Sequence, residues 1–438
     1  MLKIDTIIAP HWIISVNDDN EVLNNHSLVI DNGVIIDILP NDQVEAKYQA
    51  HDTHRLAGQA VIPGLINSHT HAAMNLFRGL ADDLPLMEWL QEHIWPAEQR
   101  HTNQEFVNVG TRLAIAEMLR SGTTCFNDMY FFPNETANVA IETGIRACVG
   151  LIVIDFPTVW ASDADEYIHK GLQLHDKLRH QSLVTTSFAP HAPYTVSDAP
   201  LQKLLTLSEE LDIPVHMHIH ETADEVKAAV DATGKRPLER LKELGALSPK
   251  LIGVHMTQLT QNEIKTLATE ACHVIHCPES NQKLASGLCP VQTLIDTGVN
   301  VALGTDGAAS NNDLDMLGEM RSAALLGKIT SMDAQAVNAT TALRMATING
   351  AKALGLDEKI GSLEIGKAAD ITAIQLNSIE TQPVYDPVSQ LVYAAGRENV
   401  TNVWVAGKHK LNNRVLTSIN ETRLLEDVAK WQHQISVT

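Results

Sequence analysis

The sequence predicts an α/β protein: a (β/α)8 TIM-type barrel with a small β-sandwich domain built from the N- and C-terminal segments. Three observations lead there. Through the middle of the chain, short apolar runs alternate with longer helical patterns, the signature of parallel βα units. Eight such runs occur over about 300 residues, which fits a closed barrel better than an open doubly wound sheet. Both ends of the chain read instead as short strands broken by turns. No Gly-x-Gly-x-x-Gly follows the first run of the barrel, so the dinucleotide-binding alternative lacks its phosphate loop.

Taken in order, residues 4–9, 12–16, 27–30 and 34–39 have strand character, punctuated by Asn17-Asp18-Asp19-Asn20 and Asp31-Asn32-Gly33. The eight apolar runs are 61–68, 123–128, 146–154, 184–190, 213–219, 251–255, 273–277 and 299–305. Helical spacing lies between them, as at 103–121 (Phe106, Val109, Leu113, Ile115, Met118, Leu119) and 201–211. Strand character returns at 369–374 and 400–408, and 421–437 reads as one amphipathic helix on the exterior. The expected organisation is 1–60 as the first part of the sandwich, 61–360 as the barrel, and 361–438 as the rest of the sandwich plus the terminal helix.

Composition narrows the function. With 44% hydrophobic and 19% charged residues, the 438-residue chain can bury a substantial core. Asp and Glu number 53 against 32 Lys and Arg, a net charge of −21, and so acidic a surface repels nucleic-acid phosphates and anionic lipid. No apolar run approaches the roughly 18–20 residues that span a bilayer. The first residues alternate and carry Lys3, Asp5 and Pro10, so they read as a strand rather than a signal peptide. Five scattered cysteines without a Cys-x-x-Cys suit reduced thiols and a cytoplasmic location. Cys277, beside His276, reads as a small buried apolar residue.

The chemistry lies in the 20 histidines. In a (β/α)8 barrel the C-terminal strand ends face one shared mouth, so polar residues there are the informative ones. The runs end at His69-Thr70-His71, Pro190-His191, His216-Met217-His218-Ile219-His220-Glu221, His255, His276 and Thr305-Asp306. His69 and His71 are two apart and share one face of an extended strand, where two imidazoles can grip one cation if another strand completes the set. A lone His-x-His is often a surface pair, but this one follows an apolar strand, and Asp306 stands at the matching place on the neighbouring eighth strand. On the fifth strand His216, His218 and His220 share a face, and spacing alone lets any of them reach a metal. Glu221 suits a proton carrier or a cap on the following helix. Imidazole and carboxylate donors gathered at one mouth suit a divalent ion, zinc best, with iron, manganese or nickel compatible.

Pro63-Gly64-Leu65-Ile66-Asn67-Ser68-His69-Thr70-His71 resembles the first-strand signature of the amidohydrolase superfamily. The stretch from Asn75 to Leu90 (NLFRGLADDLPLMEWL), with Ile94-Trp95-Pro96-Ala97-Glu98, is similar to the methylthioadenosine/S-adenosylhomocysteine deaminases. So are Ala189-Pro190-His191-Ala192-Pro193-Tyr194, the stretch His276 to Gly287 (HCPESNQKLASG), and Gly304-Thr305-Asp306-Gly307. Gly361 to Asp370 (GSLEIGKAAD) resembles the superfamily's return into its small sandwich.

The resemblance implies metal ligands His69, His71, His218 and Asp306, a proton-transfer role for Glu221, and His255 beside the reacting water. It implies that Glu98 holds ribose hydroxyls and that His191 contacts the purine. One metal is implied, since no lysine ends the fourth strand to bridge two. The segment that would meet the 5′ substituent, 156–167, holds no arginine, so the adenosine core is implied more directly than S-adenosylhomocysteine. The expected activity is hydrolytic removal of the 6-amino group from a small-molecule nucleoside, in a homodimer or higher homo-oligomer. Guanine, a cytosine-like base or a triazine is the alternative substrate, because the same metal set serves all of them.

Overall fold

The computed structural model describes residues 1–437; Thr438, the end of the expected C-terminal segment, lies outside the described residues. The chain begins with β1 (Leu2–Ile14), β2 (Val22–Asn24), β3 (His26–Asp31), β4 (Val34–Pro40) and the long β5 (Tyr48–Pro63). Then come the barrel strands β6 (Leu65–Thr70), β7 (Thr123–Asp128), β8 (Arg146–Val153), β9 (Val184–Pro190), β10 (Val215–Ile219), β11 (Leu251–His255), β12 (His273–His276) and β13 (Asn300–Leu303). The last strands are β14 (Ile371–Gln375), β15 (Val400–Val405), β16 (Lys408–Asn412) and β17 (Val415–Leu416).

Strands β6 to β13 pair in sequential order, each parallel to the next. Residues of β6, β7 and β8 are buried throughout, as expected of a parallel sheet wrapped by helices. The seam between β13 and β6 is closed by Asp306 N donating to the His69 carbonyl at 3.0 Å and by a reciprocal pair between Asn67 and Thr305. Gly304 is required there: a Cβ would sit 2.7 Å from His69 N. The eight-run reading of the sequence therefore gives the barrel.

The two chain ends form one nine-stranded sheet, in which β17-β16-β15-β14-β5-β1-β3-β4 follow one another and β2 pairs with β1. It curls on itself: a Cβ on Gly33, in the β3–β4 turn, would lie 2.6 Å from the Ala406 carbonyl in the β15–β16 turn. Ile8, Ile13, Leu28, Ile35, Ile371 and Trp404 pack together in the curl. The layers expected of a sandwich are thus joined in one hydrogen-bonded sheet. The expected first barrel run, 61–68, divides differently. Val61, Ile62 and Pro63 complete β5 against β14, and the barrel strand starts at Leu65. Gly64 makes the break, with its N–H held by the Asp370 carbonyl and Thr124 packed where a side chain would go.

Helix Glu421–Ser436 docks by Trp431 against Phe106 of helix Gln104–Arg120, with ring centroids 5.3 Å apart. All five cysteines are buried and free. Among the described residues no helix is long and apolar enough to cross a membrane.

Barrel and sheet are joined by a buried ion pair, Arg146 Nε and Nη2 donating to the two carboxylate oxygens of Asp370 at 2.9 and 3.0 Å. Truncating one partner of such a pair leaves the other charge buried and uncompensated. Arg146→Met is expected to lower stability by about 3–5 kcal/mol in denaturant titration, and Arg146→Met with Asp370→Leu to recover part of that loss.

Candidate active site

The cluster at the barrel mouth is assembled from three strands. His69 lies on β6, His71 just beyond it, His218 on β10, and Asp306 three residues past β13. One ligand atom from each lies within 4.8 Å of the others. Asp306 Oδ1 is 3.3 Å from His69 Nε2 and 3.2 Å from His71 Nε2, and His218 Nε2 is 3.2 Å from His69 Nε2. Every imidazole is oriented by its other nitrogen. His71 Nδ1 donates to the Met129 carbonyl at 2.5 Å and His218 Nδ1 to the His191 carbonyl at 2.8 Å. His69 Nδ1 meets His216 Nε2 at 2.9 Å, and Asn127 backs His216 at 3.2 Å. Asp306 Oδ2 accepts from Ser280 Oγ at 2.7 Å and Ser310 Oγ at 2.8 Å, leaving Oδ1 to face the rings.

This donor set fits a divalent cation. Three Nε2 lone pairs and a carboxylate oxygen converge at side chains that are buried except for a partly exposed His71, and they make the tetrahedral-type N/O set zinc takes. Burial alone would lower His71, but its bonds to Asp306 outweigh that and raise it to about 9. Burial holds His69 down at about 4.

The three histidines of β10 have separate places. His218 joins the cluster, His216 supports His69, and His220 accepts from Leu238 N at 3.2 Å, away from the cluster. His276 is buried, lowered to about 3 by that burial, and outside the cluster. Glu221 does not cap the next helix, because Thr222 accepts from Glu225 N and does so instead. The Glu221 backbone N–H donates to Glu225 at 2.7 Å, and its Oε1 accepts from Ser286 Oγ at 3.3 Å. Burial raises the Glu221 pKa, against a lowering by His255. His255 Nε2 lies 3.8 Å from Glu221 Oε2, while Asn281 Nδ2 meets its Nδ1 at 2.9 Å.

His71, His218, Glu221, His255 and Asp306 open into one cavity of about 800 Å³, which Glu98 and His191 also line. Glu98 sits in helix Trp95–His101, which continues a π-turn at Trp89–Ile94. Burial pushes its carboxyl up to about 7, partly offset by a hydrogen bond to Tyr130. His191 Nδ1 meets Thr195 Oγ1 at 3.1 Å, and burial with the neighbouring His71 and His69 keeps the ring neutral, near 3. All eight residues read from the sequence thus converge on the mouth. The reading missed Ser280, Asn281, Ser286 and Ser310, which orient Asp306, His255 and Glu221, and Tyr130. The first three lie in the stretch His276 to Gly287, where a polar helix start right after a strand end was the available signal.

A closed parallel barrel with such a centre at its mouth belongs among the metal-dependent barrel hydrolases. The sequence profile of the Amidohydrolase family matches residues 60–410. A 5-methylthioadenosine/S-adenosylhomocysteine deaminase of Teredinibacter turnerae is 49% identical over 432 residues, 99% of this chain and 98% of that one. The crystal structure of an adenosine deaminase from Xanthomonas campestris with bound zinc superposes with a TM-score of 0.98 at 49% identity, covering 100% of this chain and 99% of that one. An atrazine chlorohydrolase of Arthrobacter aurescens with zinc, 22% identical over 98% of this chain and 100% of its own, has a TM-score of 0.90 and shares the fold alone. The chain belongs to the amidohydrolase family, in the branch of the 5-methylthioadenosine/S-adenosylhomocysteine deaminases.

His216 donates no ligand atom to the cluster yet fixes the His69 ring. Loss of such an outer partner costs roughly 10–100-fold in metal affinity. His216→Ala is expected to show that loss in competition with a chromogenic zinc chelator; unchanged affinity would remove His216 from the metal's support.

Proposed function

We propose that the chain is a metal-dependent aminohydrolase of adenosine-type nucleosides. It replaces the 6-amino group of 5′-methylthioadenosine, S-adenosylhomocysteine or adenosine by oxygen and releases ammonia. The observation that carries this reading is the convergence of Glu221, His255 and Asp306 on one metal-type cluster, with Glu98 lining the same cavity. Near-full-length identity of 49% to a protein named for that deamination supports it.

His69, His71, His218 and Asp306 would hold the cation, which when bound supplies an acidified water and Lewis-acid stabilisation. The rest is done by the chain's own groups. Attack at C6 would place negative charge on the purine unless N1 is protonated at the same time. Glu221, its affinity for protons raised by burial, takes the proton of the attacking water and delivers it to N1. His255 has its Nδ1 occupied by Asn281 and turns Nε2 toward Glu221, where it can orient the attacking water and stabilise the oxygen arriving at C6. Asp306 accepts the second proton and passes it to the departing amine. Glu98 accepts from the ribose 2′ and 3′ hydroxyls, and His191 contacts the purine ring.

Two substitutions separate these roles. Glu221→Gln is expected to keep its metal by elemental analysis yet lose turnover by about two to four orders of magnitude; near-normal turnover would take Glu221 out of the proton path. Glu98→Ala is expected to raise KM for nucleosides and spare free adenine, and equal losses on both would refute ribose binding.

A further inference from the structure

Behind the cavity wall lies a buried carboxyl that the proposed chemistry does not use. Glu319 stands in the first turn of helix Met316–Ser331, has no exposed surface and does not line the cavity. It does not cap its own helix, because the Asp315 side chain accepts from Leu317 N at 3.0 Å and does so instead. Burial and the charge of Glu279 push its carboxyl well above the ordinary carboxylate range. A group that is costly to bury is retained where donors take up its oxygens.

Both oxygens of Glu319 are taken up, each by a different segment of the metal site. Oε2 accepts from Glu279 N at 3.2 Å. Glu279 is in the first turn of helix Pro278–Lys283, where an N–H has no partner within the helix and Cys277 supplies no side-chain cap. The next two residues are Ser280, whose Oγ donates to Asp306 Oδ2 at 2.7 Å, and Asn281, whose Nδ2 meets His255 Nδ1 at 2.9 Å. Glu319 Oε1 accepts from Asn311 Nδ2, which also donates to the Thr305 carbonyl at 2.8 Å, directly before Asp306. Asn311 ends the helical turn Ala308–Asn311, which carries Ser310, the second donor to Asp306 Oδ2.

We infer that Glu319 is a positioning residue that clamps helix Pro278–Lys283 to the turn Ala308–Asn311. The clamp keeps Ser280 and Ser310 on Asp306, with Oδ1 toward the imidazoles, and keeps Asn281 on the His255 ring. Its effect on metal binding follows from these contacts alone, whereas its effect on turnover rests on the deaminase reading. Without it the two serine donors are free to leave Oδ2, and the carboxylate can turn from the cluster. Glu98, in helix Trp95–His101, and His191, just past β9, stand on other elements, so the loss falls on kcat rather than on KM.

The test compares the unaltered chain with Glu319→Gln, Asn311→Ala and Met320→Ala. Glutamine keeps the volume but offers one acceptor oxygen in place of two, so one arm of the clamp is lost. Met320→Ala truncates the next, equally buried side chain of the same helix and serves as a packing control. Zinc Kd is measured by chelator competition and stability by denaturant titration. Ammonia release at saturating zinc gives kcat and KM for 5′-methylthioadenosine and adenosine. Expected for Glu319→Gln is a rise in zinc Kd and a fall in kcat of about tenfold each, with KM within about threefold. Asn311→Ala is expected to move both in the same direction by at least about threefold. Met320→Ala is expected to lose stability while zinc Kd and kcat stay within about twofold. An unchanged zinc Kd in Glu319→Gln, or in Asn311→Ala should the former not fold, would overturn the inference, as would equal losses in Met320→Ala. Unaltered protein that binds zinc yet releases no ammonia from either nucleoside would overturn the deaminase reading and leave zinc Kd to judge Glu319.

Discussion

The structure depends on the facing of three imidazole nitrogens and one carboxylate oxygen at the barrel mouth. Nitrogens 3.2 Å apart, with their other ring atoms committed to carbonyls and to His216, form with the Asp306 carboxylate a donor set that a cation among them would satisfy. The residues supplying them are the neighbours 69 and 71 with the distant 218 and 306, and only the closure of β13 onto β6 brings the first and last together. The same seam that completes the barrel therefore completes the metal site: Asp306 N bonds the His69 carbonyl while its carboxylate faces the His69 ring.

Around this centre the backbone departs from ordinary strand geometry. His220, His255 and Asp306 have φ of 55°, 71° and 61°, left-handed values that cost non-glycine residues energy. Each stands where a strand hands over to its loop. The turn at Asp306 aims its carboxylate back over β6, and the one at His255 goes with a ring directed at Glu221. Hydrogen bonds hold the neighbourhood against that strain, from Ser280 and Ser310 to Asp306 and from Asn281 to His255.

Much of this was legible in the sequence because a parallel barrel turns one-dimensional order into position. Once the apolar runs are counted, the residues after them must share a mouth, and His69, His71, Glu221, His255 and Asp306 follow. Spacing could not choose among His216, His218 and His220, since period two puts all three on one face; the resemblance named His218, and His218 is the one whose Nε2 lies beside His69 Nε2 in the cluster. The start of the barrel was misplaced because Val61 to Pro63 and Leu65 to Thr70 form one apolar stretch. Only the Gly64 contacts with Asp370 and Thr124, 306 and 60 residues away, reveal two strands there. Ser310 and Tyr130 were invisible for a related reason: their partners are set by tertiary approach.

The most direct test of the central claim is anomalous diffraction at the zinc edge from crystals of active enzyme. One peak is expected, about 2.0–2.2 Å from His69 Nε2, His71 Nε2, His218 Nε2 and Asp306 Oδ1. A peak elsewhere, or undiminished deamination by protein stripped of that metal, would contradict the account.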